Sequence, residues 1–164
     1  MMQRFWRVFH RDFSRDPFDG EGARRVGGRW NSEGVPIVYC SGSLSLAILE
    51  ILVNAESPLV LKHYSAIPAE INETLIAPLA EKDLPAAWNT DPAPFRARTV
   101  GDQWIATGSS PILEVPSAVV PLEKNYLINP RHPAFGKIKI GTPILLPMDA
   151  RLLDWRKVVS GKSS

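Results

Sequence analysis

The sequence predicts a single α+β domain with mixed, largely antiparallel sheets and flanking helices. Three observations lead there. Segments rich in Val, Ile and aromatic residues dominate both ends of the chain, helix-period segments fall mainly between them, and the fifteen prolines are spread throughout rather than gathered at one boundary. A length of 164 residues suits one domain with a sizeable core, expected over residues 1–160 with a flexible tail at 161–164. Apolar residues at 45% and charged residues at 22% exclude a disordered or collagen-like chain.

FWRVFH (5–10) alternates apolar and polar residues, the period of a half-buried strand. A glycine-containing loop follows through Gly20, Gly22, Gly27 and Gly28, and VPIVYC (35–40) is the second strand. From Ser43 to Asn54 the period changes: Leu44, Ala47, Ile48, Ile51 and Leu52 share one helical face, with Ser41 or Ser43 as N-cap. PLVLKHYSAIP (58–68) and AEINETLIAP (69–78) read as two strands joined near Pro68. DPAPFRARTVGDQWIAT (91–107) is a helix whose middle Gly101 weakens by up to about 1 kcal/mol relative to alanine. ILEVPSAVVP (112–121), NYLI (125–128) and KIKIGTPILLP (137–147) are strands, and NPRHPAFG (129–136) is a loop.

The N-terminus, MMQRFWRVFHRDFSRD, interleaves arginines with aromatics and has no apolar h-region, so it does not read as a signal peptide. No run of about 18 apolar residues is present to span a membrane. The lone cysteine, Cys40, cannot form an internal disulfide, and the expected location is the cytoplasm. Net charge is only +2, yet residues 1–29 hold seven arginines, no lysine and four acids. Either this is a solvated face with local Arg–Asp pairs, or it is a site for phosphate, which guanidinium binds in a fork and lysine only as a point charge.

Glu50 is the most informative candidate. Between Leu44 and Val53 the only polar side chains are Ser45 and Glu50, so the helix is expected to be buried nearly all round. A buried carboxylate needs a partner, and Glu50 either forms an internal salt bridge or is held dry for catalysis or for gripping a hydroxyl group. Arg29 is the candidate partner or co-ligand, preceded by Gly27 and Gly28 and followed by Trp30, a flat apolar wall. Tyr39 lies near the end of the next strand and reads either as a core tyrosine or as a cleft residue. Ser117 interrupts an apolar strand and is either a local backbone hydrogen-bonder or a site residue. His132 is a base or a structural loop histidine, and Cys40 a small buried hydrophobe or a nucleophile. Three scattered histidines and one cysteine make no metal-ligand spacing, so no metal is expected. Walker A, GxGxxG and GxSxG signatures are absent.

Taken in order, FWRV near the start, GEGA (20–23), GGRWN (27–31), VYCS (38–41), AILE (47–50), VPSAVVP (115–121) and NYLINPRHPAF (125–135) resemble the RES domain, the toxin half of a bacterial toxin–antitoxin pair. The resemblance spans nearly the whole chain and places the family's arginine, glutamate and serine on Arg29, Glu50 and Ser117. It implies an ADP-ribosyltransferase-like fold and NAD as substrate, hydrolysed, split by phosphate, or used to ADP-ribosylate a protein. It also implies an Xre-type antitoxin that blocks the NAD cleft, with pairing of two copies possible in that complex. On this reading Arg29 and Arg7 hold the pyrophosphate, Glu50 stabilises the developing ribose cation, Tyr39 meets the nicotinamide ribose, Trp30 walls the pocket, and Ser117 bonds the nicotinamide or a phosphate. A nucleic-acid-binding module is the competing class; it predicts steeply salt-dependent binding that survives loss of Glu50.

Overall fold

The computed structural model of the chain describes residues 1–13, 15–146 and 148–153; the tail expected at 161–164 and the domain end at 160 lie outside the described residues. Eight strands form one sheet: β1 Met2–His10, β2 Val38–Ser41, β3 Tyr64–Asn72, β4 Ile76–Pro78, β5 Ile112–Pro116, β6 Lys124–Ile128, β7 Lys139–Ile140 and β8 Ile144–Leu145. Their order is β4-β5-β6-β2-β1-β3-β7, with β8 also pairing β3. Every pairing is antiparallel except β4 with β5, which is parallel. The helices are α1 Glu21–Val26, α2 Leu44–Leu52, α3 Phe95–Thr107 and α4 Ala150–Leu153. The α+β expectation therefore holds, with a mixed and mostly antiparallel sheet.

Strand period two distributes the core over the two faces of the sheet. Val38, Cys40, Tyr126, Ile128 and Ile112 join Phe5, Phe9 and Ile71 in one cluster. Leu113, Val115 and Leu127, the alternate residues of β5 and β6, pack with Trp30, Ile37 and the α3 residues Ala97 and Trp104. Under α2, Val8 and Ala66 meet Ala47. Full burial of one such Val, Leu or Ile stabilises by about 1.5–3 kcal/mol, so the paired centre of β1, β2 and β6 is a stiff frame for what is mounted on it.

Local chemistry explains where the elements differ from expectation. Residues 58–63 are a 3-10 helix rather than a strand, because Ser57 caps Leu59 N and Pro58 occupies the first turn. β3 runs unbroken through Pro68, which was expected to separate two strands. Its carbonyl accepts from Gly141 N at 2.8 Å on the β7 side, so its missing N–H also faces that side and the ladder to β1 is complete. α1 was expected as loop; six residues with no buried side chain give no amphipathic signal. α3 starts only at Phe95, after Pro92 and Pro94. Its Gly101 has a packing reason: a Cβ there would lie 1.7 Å from the Trp30 carbonyl oxygen. The strand expected over 112–121 stops at Pro116, and that over 137–147 divides into β7 and β8 around Gly141 and Pro143.

Candidate active site

α2 begins at Ser43, whose hydroxyl accepts from Leu46 N at 3.1 Å, and it ends at Leu52. It is not buried all round: Leu46 and Ala47 face the sheet, while Leu49 is 41% and Val53 58% exposed. The helix covers β1 with one stripe and borders an open cleft with another, and Glu50 projects from that second stripe, half-buried. Its Oε1 accepts from Ser117 Oγ at 2.8 Å and from Asn125 Nδ2 at 2.6 Å. Asn125 is itself oriented by Ser41, which donates to its Oδ1 at 2.8 Å. Glu50 thus has the partners its position demands, but they are neutral donors; the salt bridge to Arg29 is not formed. Oε2 makes no protein hydrogen bond among the described residues.

The cleft is a cavity of ≈ 820 Å³ bordered by β1, β2, α2, the 27–29 loop, the 89–93 loop and Ala118–Val119. Arg7, Arg29, Tyr39, Cys40, Ser41, Glu50 and Asn125 all reach its wall. Arg7 is half-buried; its Nε donates to Pro17 O at 3.0 Å and its Nη1 to Tyr39 O at 3.2 Å. Burial presses its proton affinity below the ordinary guanidinium level, which makes an anionic companion favourable. Arg29 uses Nη1 alone, bonded to the carbonyls of Trp88 at 2.8 Å and Thr90 at 2.7 Å. This hook draws the 88–91 loop to the cleft rim and leaves Nε and Nη2 without a hydrogen bond among the described residues.

The GGRWN loop is assembled by hydrogen bonds behind the cleft wall. Tyr39 donates to Asn31 Oδ1 at 2.7 Å and accepts from Trp30 N at 3.0 Å. The fully buried Asn31 donates to the carbonyls of Ala23, Ser32 and Val35. Gly28 is required because a Cβ would meet the Tyr39 hydroxyl at 2.7 Å. Ser32 is bound through its N and Oγ to Asp102 of α3 at 2.9 and 2.6 Å. Burial raises the Tyr39 phenol well above its usual range, so it remains a neutral bridge.

Several expectations are corrected by placement. Trp30 is 2% exposed and stacks on Trp88 at 6.0 Å in the core, so it does not wall the cleft. Ser117 is fully buried behind Glu50: its oxygen also accepts from Val119 N and Val120 N at 3.0 Å, leaving nothing for a substrate. The Tyr39 hydroxyl is likewise engaged, and only its ring is offered to the cleft. His132 is a loop pin, bonded to Gly108 O and Ala134 N at 3.0 Å and absent from the cavity wall. Cys40 is buried, its thiol pushed up to about 12 by desolvation, which keeps it un-ionised. Sequence reading missed Asn125 and Ser41 as the supports of Glu50. The available signal was an asparagine inside a strand, where that residue is depleted.

Fold and site together define an α+β domain built round a carboxylate-and-arginine cleft. The RES domain family model matches residues 4–149, and the chain belongs to that family. A protein called Toxin Res from Yersinia enterocolitica is 36% identical over 148 residues, which is 90% of this chain and 97% of that protein. A Prs ADP-ribosylating toxin from Sphingobium is 38% identical over 145 residues, 85% of this chain and 89% of that one. The fold is similar to that of a chain in the crystal structure of the M. tuberculosis MbcT-MbcA toxin-antitoxin complex, with TM-score 0.73, 18% identity, and coverage of 89% and 85% of the two chains.

Proposed function

We propose that the chain is the toxin of a toxin–antitoxin pair and that it cleaves NAD at the nicotinamide–ribose bond. The observation that carries this reading is Glu50: one carboxylate oxygen is fixed by Ser117 and Asn125, and the other takes no hydrogen bond among the described residues, beside a cleft that also holds two arginines. The cavity volume of ≈ 820 Å³ lies within the roughly 300–1,000 Å³ typical of small-molecule sites.

In this mechanism the nicotinamide leaves with the electron pair of its bond to ribose, and positive charge builds on the ribose as an oxocarbenium ion. The unclaimed Glu50 oxygen accepts from a ribose hydroxyl and stabilises that charge. The fixed geometry means that little reorganisation is needed as the charge develops. Arg7 and Arg29, each with unused N–H groups, bind the pyrophosphate as charge-assisted pairs. The oxygen of an acceptor O–H then forms the new bond to the ribose carbon that nicotinamide has left, and its proton passes to solvent. Val53, exposed at the cavity wall, gives an antitoxin an apolar foothold from which to close the cleft.

Transfer to a protein is the second reading. It is favoured by the name of the Sphingobium relative and by a second cavity of ≈ 500 Å³ that shares Glu50 with the first and is lined by Glu56, Ser57 and Tyr64. Purified chain without antitoxin is incubated with NAD, with and without phosphate, and the products are separated by chromatography. Free nicotinamide with ADP-ribose identifies water as acceptor, and ADP-ribose 1″-phosphate identifies phosphate. No turnover in either buffer, with labelled ADP-ribose appearing on lysate protein, selects transfer, whereas no product in any arm rejects NAD cleavage.

A further inference from the structure

Pairing of β1 with β3 brings together residues that are far apart in the chain. His10, the last residue of β1, stands opposite Tyr64, so His63 is its neighbour across the strands. The two imidazoles lie nearly parallel, 8° between planes and 5.6 Å between centroids. Asp12 completes the group: one ligand atom from each of His10, Asp12 and His63 lies within 4.8 Å of the others. None of the three lines the cavity that holds Glu50.

We propose that His10, Asp12 and His63 form a binding site for a divalent transition-metal ion of the zinc type. Two imidazoles and a carboxylate are the donor set that suits zinc, with a fourth position left to water. Ligands about 2.0–2.1 Å from a tetrahedral ion stand about 3.4 Å apart. His63 and Asp12 are exposed, so side-chain rotation closes the remaining distance without disturbing the core.

The scaffold holds the first ligand in place. Phe13 packs on the His10 ring at 4.4 Å, and Tyr64 meets it edge-on at 5.1 Å. Asp12 N donates to His10 Nδ1 at 3.2 Å, which makes Nδ1 the unprotonated nitrogen; the ion takes that lone pair in place of this long contact. Arg11, between His10 and Asp12, is bound by its side chain to the carbonyls of Lys62 and Tyr64, and its backbone N to His63 O, tying the two ligand segments together. Sequence spacing gives no sign of this cluster because its members come from the end of β1, the turn after it and the 3-10 helix before β3, which only the fold brings together.

The test is a titration of chelator-treated, tag-free full-length protein with zinc ion in competition with a chromophoric chelator. The expected result is one equivalent bound per chain, with affinity reduced tenfold or more in His63→Ala and in Asp12→Asn. Imidazole NMR resonances of the wild type provide a reading that needs no variant: one equivalent of zinc shifts those of His10 and His63 and spares His132. Absence of saturable binding, equal binding by both variants, or shifts confined to His132 overturns the assignment.

Discussion

Glu50 illustrates how a single carboxylate is turned into a directed group. Ser117 and Asn125 donate to the same oxygen, so rotation of the carboxylate is arrested and Oε2 alone is offered to the cleft. Removing one donor to a charged acceptor costs about 1.5–3 kcal/mol. Asn125→Ala is therefore expected to lower kcat for NAD cleavage about 10- to 100-fold while KM changes little, because the arginines proposed to bind the pyrophosphate are untouched; steady-state kinetics check this. Cys40 gives a pH prediction at the same scale. Its folded-state value is raised from 9.0 to about 12, so its contribution to stability is complete below pH 9 and declines between pH 9 and 12, where only the unfolded chain ionises. Denaturant unfolding of the wild type should lose more stability over that window than Cys40→Ala does. Glu50 and Arg29 were legible in the sequence as types that need partners, whereas their actual partners were not: Asn125 is 75 residues from Glu50, and strand pairing alone brings them together.

Among the elements, α3 is constrained more by a backbone contact than by its side chains. Gly101 lies against the Trp30 carbonyl with no room for a Cβ. Although alanine is the better helix former, Gly101→Ala is expected to destabilise the fold by about 3 kcal/mol or more, since the helix must move off the GGRWN loop. Thermal or urea unfolding measures it, and the same shift should loosen the Ser32–Asp102 bonds and so lower activity. Sequence periodicity located α2 and the strands at both ends because their apolar residues repeat at 3.6 or 2. It missed α1, whose six residues bury nothing, and it read the serine-capped 58–63 turn as strand because Leu59, Val60 and Leu61 look the same in either state. It also overstated the burial of α2, since an apolar face beside a cleft has the same composition as one inside a core.

At the scale of the whole molecule, the sheet frame, α2 and the 88–91 loop close three sides of one cleft, and the proposed NAD chemistry needs all three. Arg29 is the tie between loop and cleft, so Arg29→Lys, which keeps charge and loses the fork, is expected to raise KM for NAD at least tenfold. The family was legible in the ordered motifs, and the chain's match to the RES domain over residues 4–149 agrees with it. Motif order carried no information on which motif residues touch a ligand: Trp30 and Ser117 belong to the scaffold, whereas Arg29 and Glu50 reach the cavity. The most direct test of the central claim compares the wild type with Glu50→Gln by two readings, NAD affinity from calorimetry and the rate of nicotinamide release. Similar affinity is expected, with release slower by at least about 100-fold in the variant. Nicotinamide release by a folded Glu50→Gln protein at the wild-type rate would contradict it.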